Sequence, residues 1–148
     1  MQKSIRTTTV RFHTVTSVKP IPEGYHVVTP YLVVQGAEKL IDFMKQAFDA
    51  KETERMLMPD GSIGHAEVRI SDSVIMLGDA RGETWKAMPS SIFLYVEDCD
   101  TVYIRALEAG ATTLMEPKDQ FYGDRSGGEG PGWKPLVYCN TFQKPNIV

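Results

Sequence analysis

The sequence predicts an α+β fold built from two βαβββ modules, and three observations predict it. First, residues 28 to 50, VTPYLVVQGAEKLIDFMKQAFDA, place an apolar run (Tyr31 to Val34) directly before a helical pattern. Ala37, Leu40, Ile41, Met44, Ala47 and Phe48 fall on one helix face, with Asp42, Lys45 and Gln46 on the other. Second, strand-like segments follow that helix at once. Third, the order returns in the second half as SIFLYV, Glu97-Asp98 and CDTVYIRALEAG. Each module makes a curved four-stranded sheet with its helix on the convex side. Joined edge to edge, the two make an open, cup-shaped, eight-stranded mixed sheet. Concave sites at such junctions bind small ligands.

The elements follow in order. Residues 1 to 22 read as an N-terminal arm outside the repeat, closed by Pro20-Ile21-Pro22-Glu23-Gly24. Val10, Phe12 and Val15 give the arm strand propensity, whereas a bare terminus needs no structure. His13 and His26 have no partner pattern and read as surface residues. Residues 23–148 form one domain of two modules, about 23–79 and 91–142. After the first strand and helix, Lys51 to Met58 alternates loosely, and Pro59-Asp60-Gly61-Ser62 is a turn. Ile63 to Ile70 alternates cleanly, with Ala66, Val68 and Ile70 facing one way and His65, Glu67 and Arg69 the other. Ser73 to Leu77 is an apolar strand ending at Gly78-Asp79. Residues 80 to 90 connect the modules. Ser91 to Val96 opens the second, and Asp98 or Asp100 caps its helix. Cys99, Tyr103, Ala106, Leu107 and Gly110 share a face of that helix, and Gly110 stops it. Ala111 to Met115 is the next strand, closed by Pro117. FYGDRSGGEGPGW reads as an irregular glycine-rich loop, and Leu136 to Phe142 as the last apolar stretch.

Composition narrows the function classes. At 148 residues the chain suits one compact domain, burying roughly 70% of its unfolded surface. With 42% hydrophobic and 24% charged residues it has a globular make-up. A net charge of −3, with basic residues dispersed, argues against nucleic-acid binding. Apolar runs are strand-sized, so no membrane span is expected, and the first residues lack the apolar segment of a secretory signal. Cys99 and Cys139 have neither metal spacing nor a disulfide framework, which points to free thiols in the cytoplasm.

From about Pro22 to Arg125 the chain resembles the vicinal-oxygen-chelate superfamily of glyoxalases, bleomycin-resistance proteins and extradiol dioxygenases, most closely its PhnB-like branch. The stretches that carry the resemblance are EGYHVVTPYLVVQGAEKLIDFMKQAFDA, MPDGSIGHAEVRISDSVIMLGD, LYVEDCDTVYIRALEAGAT and DQFYGDR. The resemblance implies paired βαβββ modules, a cup-shaped site and a homodimer. It implies no single reaction, because function lives in the site rather than the scaffold. The metal-dependent members carry His, Gln or Glu at fixed strand positions. Here those positions fall on Thr29, Met76 and Ser91, with a fourth in the divergent tail. None of the three assignable positions carries a normal ligand for a divalent ion. The expectation is therefore no metal and no cofactor.

His65, Glu67 and Arg69 form the most chemical-looking set, about 7 Å apart per step of two residues. His65 and Glu67 are the first catalytic candidates. The functional reading is an anchor for a polar or anionic group. The plainer one is a solvated strand face with an ion pair worth under about 1 kcal/mol. Tyr31, Phe93 and Tyr95 could line the cup, although aromatics at this spacing more often pack a core. Trp85 and Met88 could cover a ligand, or simply be exposed in a loop. Tyr122 and Arg125 complete the ligand-binding candidates. Arg125 follows Asp124 in the GDR element and would either clamp an anion or pin its glycine-rich loop. Gly127, Gly128 and Gly130 lack the strand-before, helix-after setting of a phosphate loop.

The tail departs from the superfamily. Where D-P-x-G-N-x-W-x-I-A-T-H is usual, this chain reads EGPGWKPLVYCNTFQKPNIV from Glu129. Read one base late, Trp133-Lys134 forces Gly, and the flanking codons permit the usual residues. The expectation is a single-base change from about Glu129. Resequencing that finds no such offset against close relatives would remove it.

The expected function is small-molecule binding in the cup, without a divalent metal, by a cytoplasmic homodimer that is either a binder or a metal-independent enzyme. The alternatives are a metal-dependent lyase or isomerase of the same superfamily and a non-catalytic partner-binding domain.

Overall fold

A computed structural model describes residues 19–130 and the backbone of 136–142. The expectations for Val10, Phe12, Val15 and His13 lie outside the described residues, as do those for the tail beyond this backbone. The order is β1 (Tyr31–Val34), α1 (Ala37–Phe48), β2 (Lys51–Leu57), β3 (Ile63–Ile70), β4 (Ser73–Asp79), β5 (Ser91–Tyr95), α2 (Cys99–Glu108), β6 (Thr112–Asp119), β7 (Asp124–Gly130) and β8 (Leu136–Phe142). This is the expected βαβββ order, twice.

Hydrogen bonding divides the strands into two mixed four-stranded sheets, β1-β4-β3-β2 and β5-β8-β7-β6. In each, the first strand pairs parallel with the last and the other ladders are antiparallel. Among the described residues no ladder joins β1 to β5, so the expected continuous eight-stranded sheet is absent here. The outward edge of β1 is already in use. Val33 accepts there from the Met88 N–H at 3.1 Å, so the connection between the modules occupies the place β5 would take. The modules meet instead through α1 and α2. Arg105 of α2 reaches Asp49 at the end of α1 with two bonds of 2.7 and 2.6 Å and the Gln46 carbonyl at 3.0 Å.

The core lies between α1 and the first sheet. Leu40, Ile41, Met44 and Ala47 are buried against Leu32, Val34, Ala66, Val68, Ile75 and Leu77. Phe43, absent from the expected face, is buried too, because α1 is covered by α2 as well as by its sheet. The start of α1 has no side-chain cap of its own; Gly36 sits there at φ 76°. Asp79, at the end of β4, accepts from Gly36 N at 3.1 Å, Ala37 N at 2.8 Å and Ile63 N at 2.8 Å. One carboxylate thus ties β3, β4 and α1 together at the helix's positive end.

The second module corrects three expectations. Leu107 is exposed, because the buried stripe of α2 is Cys99, Tyr103 and Ala106. β6 runs through Pro117 to Asp119, with the register shifting between Met115 and Lys118, an irregularity where a residue lacking an N–H is tolerated. The stretch read as an irregular loop is strand β7 from Asp124. Its glycines fit the close approach of β6: a Cβ on Gly127 would lie 3.0 Å from Pro117 Cγ and 3.1 Å from Pro117 N. Asp98 is the cap of α2, its Oδ1 accepting from Thr101 N at 3.1 Å. Gly110 follows the helix at φ 96°.

Glu52 faces α1, where it bonds Lys45 at 2.7 Å and also the Arg55 guanidinium. Chiefly Arg55 holds its carboxyl at about 2, down from an ordinary 4.5. A depressed carboxylate stabilises the fold above pH 4.5 and loses that contribution as pH falls toward 2. With screening at this partly exposed site, the loss is about 1 kcal/mol. Unfolding free energies from urea curves taken down this range should fall in the native protein by that amount more than in Glu52→Gln; parallel curves would contradict the assignment.

Candidate functional site

The face of the first sheet opposite α1 carries the polar groups. A single cross-strand row contains Tyr31 of β1, Met76 of β4, Glu67 of β3 and Glu54 of β2. His65 lies two residues from Glu67 on the same face. Glu54 reaches this row because β2 has a register irregularity at Thr53. Glu52 opposes Val68 of the helix-covered face, and Glu54 opposes Glu67.

Residues 20–30 cross over this face. The Tyr25 hydroxyl donates to Glu67 Oε2, and Arg69 Nη1 donates to the Gly24 carbonyl at 3.1 Å. They leave a pocket of about 590 Å³ lined by Ile21, Tyr25, His26, Thr29, Glu67 and Met76. Glu67 is only 5% exposed, and its other oxygen lies 3.4 Å from His65 Nε2. Among the described residues no Lys or Arg is within ion-pairing distance of Glu67. The Tyr31 ring stands 5.8 Å from that of His65 and 6.0 Å from that of Trp85, and its hydroxyl donates to the Gly64 carbonyl at 3.4 Å. Gly78 makes room for it, since a Cβ there would lie 3.1 Å from the Tyr31 hydroxyl and 2.9 Å from the Gly64 oxygen.

Donation to Glu67 is the main cause that raises the Tyr25 pKa above its ordinary 10.0. A raised pKa means that the stabilising bond is whole below pH 10 and lost as pH climbs through the folded-state value. Ultraviolet titration should therefore show a tyrosine ionising late, and Glu67→Gln should bring it back toward the ordinary value. An unchanged titration would show that the bond does not form in solution.

The expected residues divide into groups. Tyr31, His65, Glu67 and Arg69 share the face just described. Phe93 and Tyr95, exposed on β5 with ring centroids 5.4 Å apart, line a different cleft of about 820 Å³ between the modules. That cleft is larger; Arg105 and Asp49 on its wall pair with each other, and His26, Asp72 and Glu97 also line it. Tyr122 sits exposed beside Phe121 in the turn between β6 and β7. Arg125 is engaged by Asp100 at Nε and Nη2 and by Asp119 at 3.0 Å, fastening α2 to the edge of its sheet. His26 is exposed, with Nε2 3.2 Å from the Asp72 carbonyl. Tyr25 and Glu54 were not legible as site residues. Tyr25 lies ahead of the first strand, where no periodicity marks it, and strict alternation gives no sign of the β2 irregularity.

Of the positions that the resemblance gives for the superfamily's metal, the three assignable ones do not suit a divalent ion. Thr29 spends its hydroxyl on the His26 carbonyl at 3.2 Å. Met76 offers a thioether, and exposed Ser91 lies outside the pocket. A different trio does lie together. Ligand atoms of Glu54, His65 and Glu67 are all within 4.8 Å of one another.

Two successive βαβββ modules, each helix backed by its own mixed sheet, define a paired-module α+β protein. The chain belongs to the glyoxalase/bleomycin resistance protein/dioxygenase superfamily, whose family model matches residues 25–132. It is 40% identical over 110 residues to an uncharacterised protein of Mycobacterium bovis, covering 68% of this chain and 72% of that one. Among solved structures it is similar to TioX from Micromonospora (TM-score 0.65, 17% identity, 77% of this chain and 96% of that). It is also similar to a PhnB protein from Bacillus cereus (TM-score 0.60, 18% identity, 78% and 99%). At such identities these two likenesses speak for the fold alone. No described helix is long and apolar enough to cross a membrane.

Proposed function

We propose that this protein binds a small polar molecule with an aromatic or apolar part on the open face of its first module, and that it needs no metal at the superfamily's own positions to do so. The observation that carries the reading is Glu67. A carboxylate this buried, held by a phenol and an imidazole rather than a cation, is costly to keep in a fold for packing alone. It lines a pocket of ligand size; Tyr31 of the same cross-strand row, with Trp85 6.0 Å from its ring, stands outside that lining. Glu67 and His65 would orient the ligand's polar group, and the rings would cover its apolar part. His65, which lies against Glu67, is the residue placed to move a proton if the protein is an enzyme.

A thermal-shift screen of aromatic, anionic and thiol-conjugate compounds tests this. At least one class should raise the melting temperature of the native protein and fail to raise that of Glu67→Gln. A complete blank would favour a partner-binding domain instead. The superfamily resemblance also supports a cytoplasmic homodimer in which two modules close one cup. Light scattering should then return twice the chain mass of 16.6 kDa, and a monomer would remove the dimer.

A further inference from the structure

We propose that Glu54, His65 and Glu67 bind one divalent metal ion on β2 and β3, apart from the positions where the superfamily places its metal. Two features of the fold bring the three side chains together. The irregularity at Thr53 turns Glu54 out of the helix-facing row and sets it opposite Glu67. His65 and Glu67 are two residues apart on one strand, so both side chains leave the same face. All the ligand atoms then fall within 4.8 Å of one another. Two ligand bonds of about 2.0 to 2.4 Å on opposite sides of one ion span no more than this.

Electrostatics points the same way. Two carboxylates facing each other repel, and one of them is buried. Arg69, on the same face, donates to the Gly24 carbonyl. The ion pair recorded at Glu67 is with His65, which gives a positive charge only when protonated. A divalent cation would neutralise both carboxylates and take the imidazole as a neutral ligand. Tyr25 donates to Glu67 Oε2, which leaves Oε1 toward His65 Nε2. A carboxylate fixed by its outer oxygen is the arrangement that orients metal ligands generally.

One imidazole nitrogen and two carboxylate oxygens suit zinc, nickel, cobalt, iron or manganese in the divalent state, and not cuprous copper. Three protein ligands leave coordination positions open. The inference deepens the ligand-binding reading, because an open position would take an oxygen of the ligand bound beside Tyr31 and Trp85.

Chelator-treated protein should be titrated calorimetrically with zinc and nickel, and with cobalt followed by its visible absorption. The native protein should take up one equivalent. Glu67→Gln and His65→Ala should each weaken binding at least about 100-fold, and Glu54→Gln about 10-fold or more. Glu116→Gln, which alters an exposed carboxylate on β6 of the second module, should bind as the native protein does. Glu54 is exposed, so Glu54→Gln keeps its fold and remains a test if a Glu67 variant unfolds; unchanged thermal melting confirms that it has. Less than one equivalent in the native protein, or native affinity in folded Glu54→Gln and His65→Ala, would overturn the proposal. Repeating the ligand screen on chelated protein separates the two readings: ligand shifts without metal uptake sink the metal site and leave the pocket standing.

Discussion

Replacing Asp79 by alanine is expected to destabilise the protein by about 3 kcal/mol, read as a lower urea midpoint with unchanged slope. Three backbone N–H groups lose their acceptor together: Gly36 and Ala37 at the start of α1, and Ile63 at the start of β3. A lost helix cap alone costs about 1 kcal/mol, and a buried donor left without a partner about 1 to 3 kcal/mol. Gly36 has no side chain to serve instead. Asp79→Asn keeps one acceptor oxygen and should recover about half of the loss, the oxygen retained being best placed where it serves both Gly36 and Ala37. A loss below about 1 kcal/mol in the alanine variant would mean that water satisfies these groups and that Asp79 does not tie the module together.

Leu40→Ala should cost about 3 kcal/mol, within the range for emptying a packed leucine site. Leu40 is 1% exposed, between the first sheet and the rest of the core. For a chain of this length the melting temperature should fall by about 6 to 12 °C. Leu107→Ala is the internal control. Leu107 falls on the apolar stripe of α2 by spacing alone, yet it is 37% exposed, and its truncation should cost well under half as much. Equal costs would mean that α2 is packed differently in solution, for instance beneath a second copy of the chain.

That contrast shows where sequence reasoning reaches. Spacing found both helices, the two modules and the strand faces. The stop at Gly110 was legible because it follows from one residue's backbone chemistry, and the cap was legible as Asp98 or Asp100, between which only the structure chose. Spacing could not tell Leu107 from Ala106, because burial depends on what lies opposite. It missed Phe43 for the same reason, since a second helix covers α1. It read β7 as a loop because glycine has low strand propensity, whereas the close approach of Pro117 would crowd a Cβ at Gly127.

The candidate site divides along the same line. His65, Glu67 and Arg69 were placed on one face by a period of two, and Tyr31 by its strand. Phe93 and Tyr95 were grouped with them on the assumption of one continuous cup, but the backbone bond from Met88 to Val33 fills the edge where β5 would have joined β1. Arg125 could have clamped an anion or pinned its loop by its sequence context; its guanidinium in fact meets Asp100 and Asp119.

The sequence by itself determined the superfamily and the doubled βαβββ order, since each of these depends on residue identity in a fixed local pattern. Only the tertiary structure decided that Glu54 joins Glu67 and that Tyr25 closes over them. A one-residue slip in a strand exchanges its two faces, and a segment ahead of the first strand finds its place only when there is a sheet to lie on.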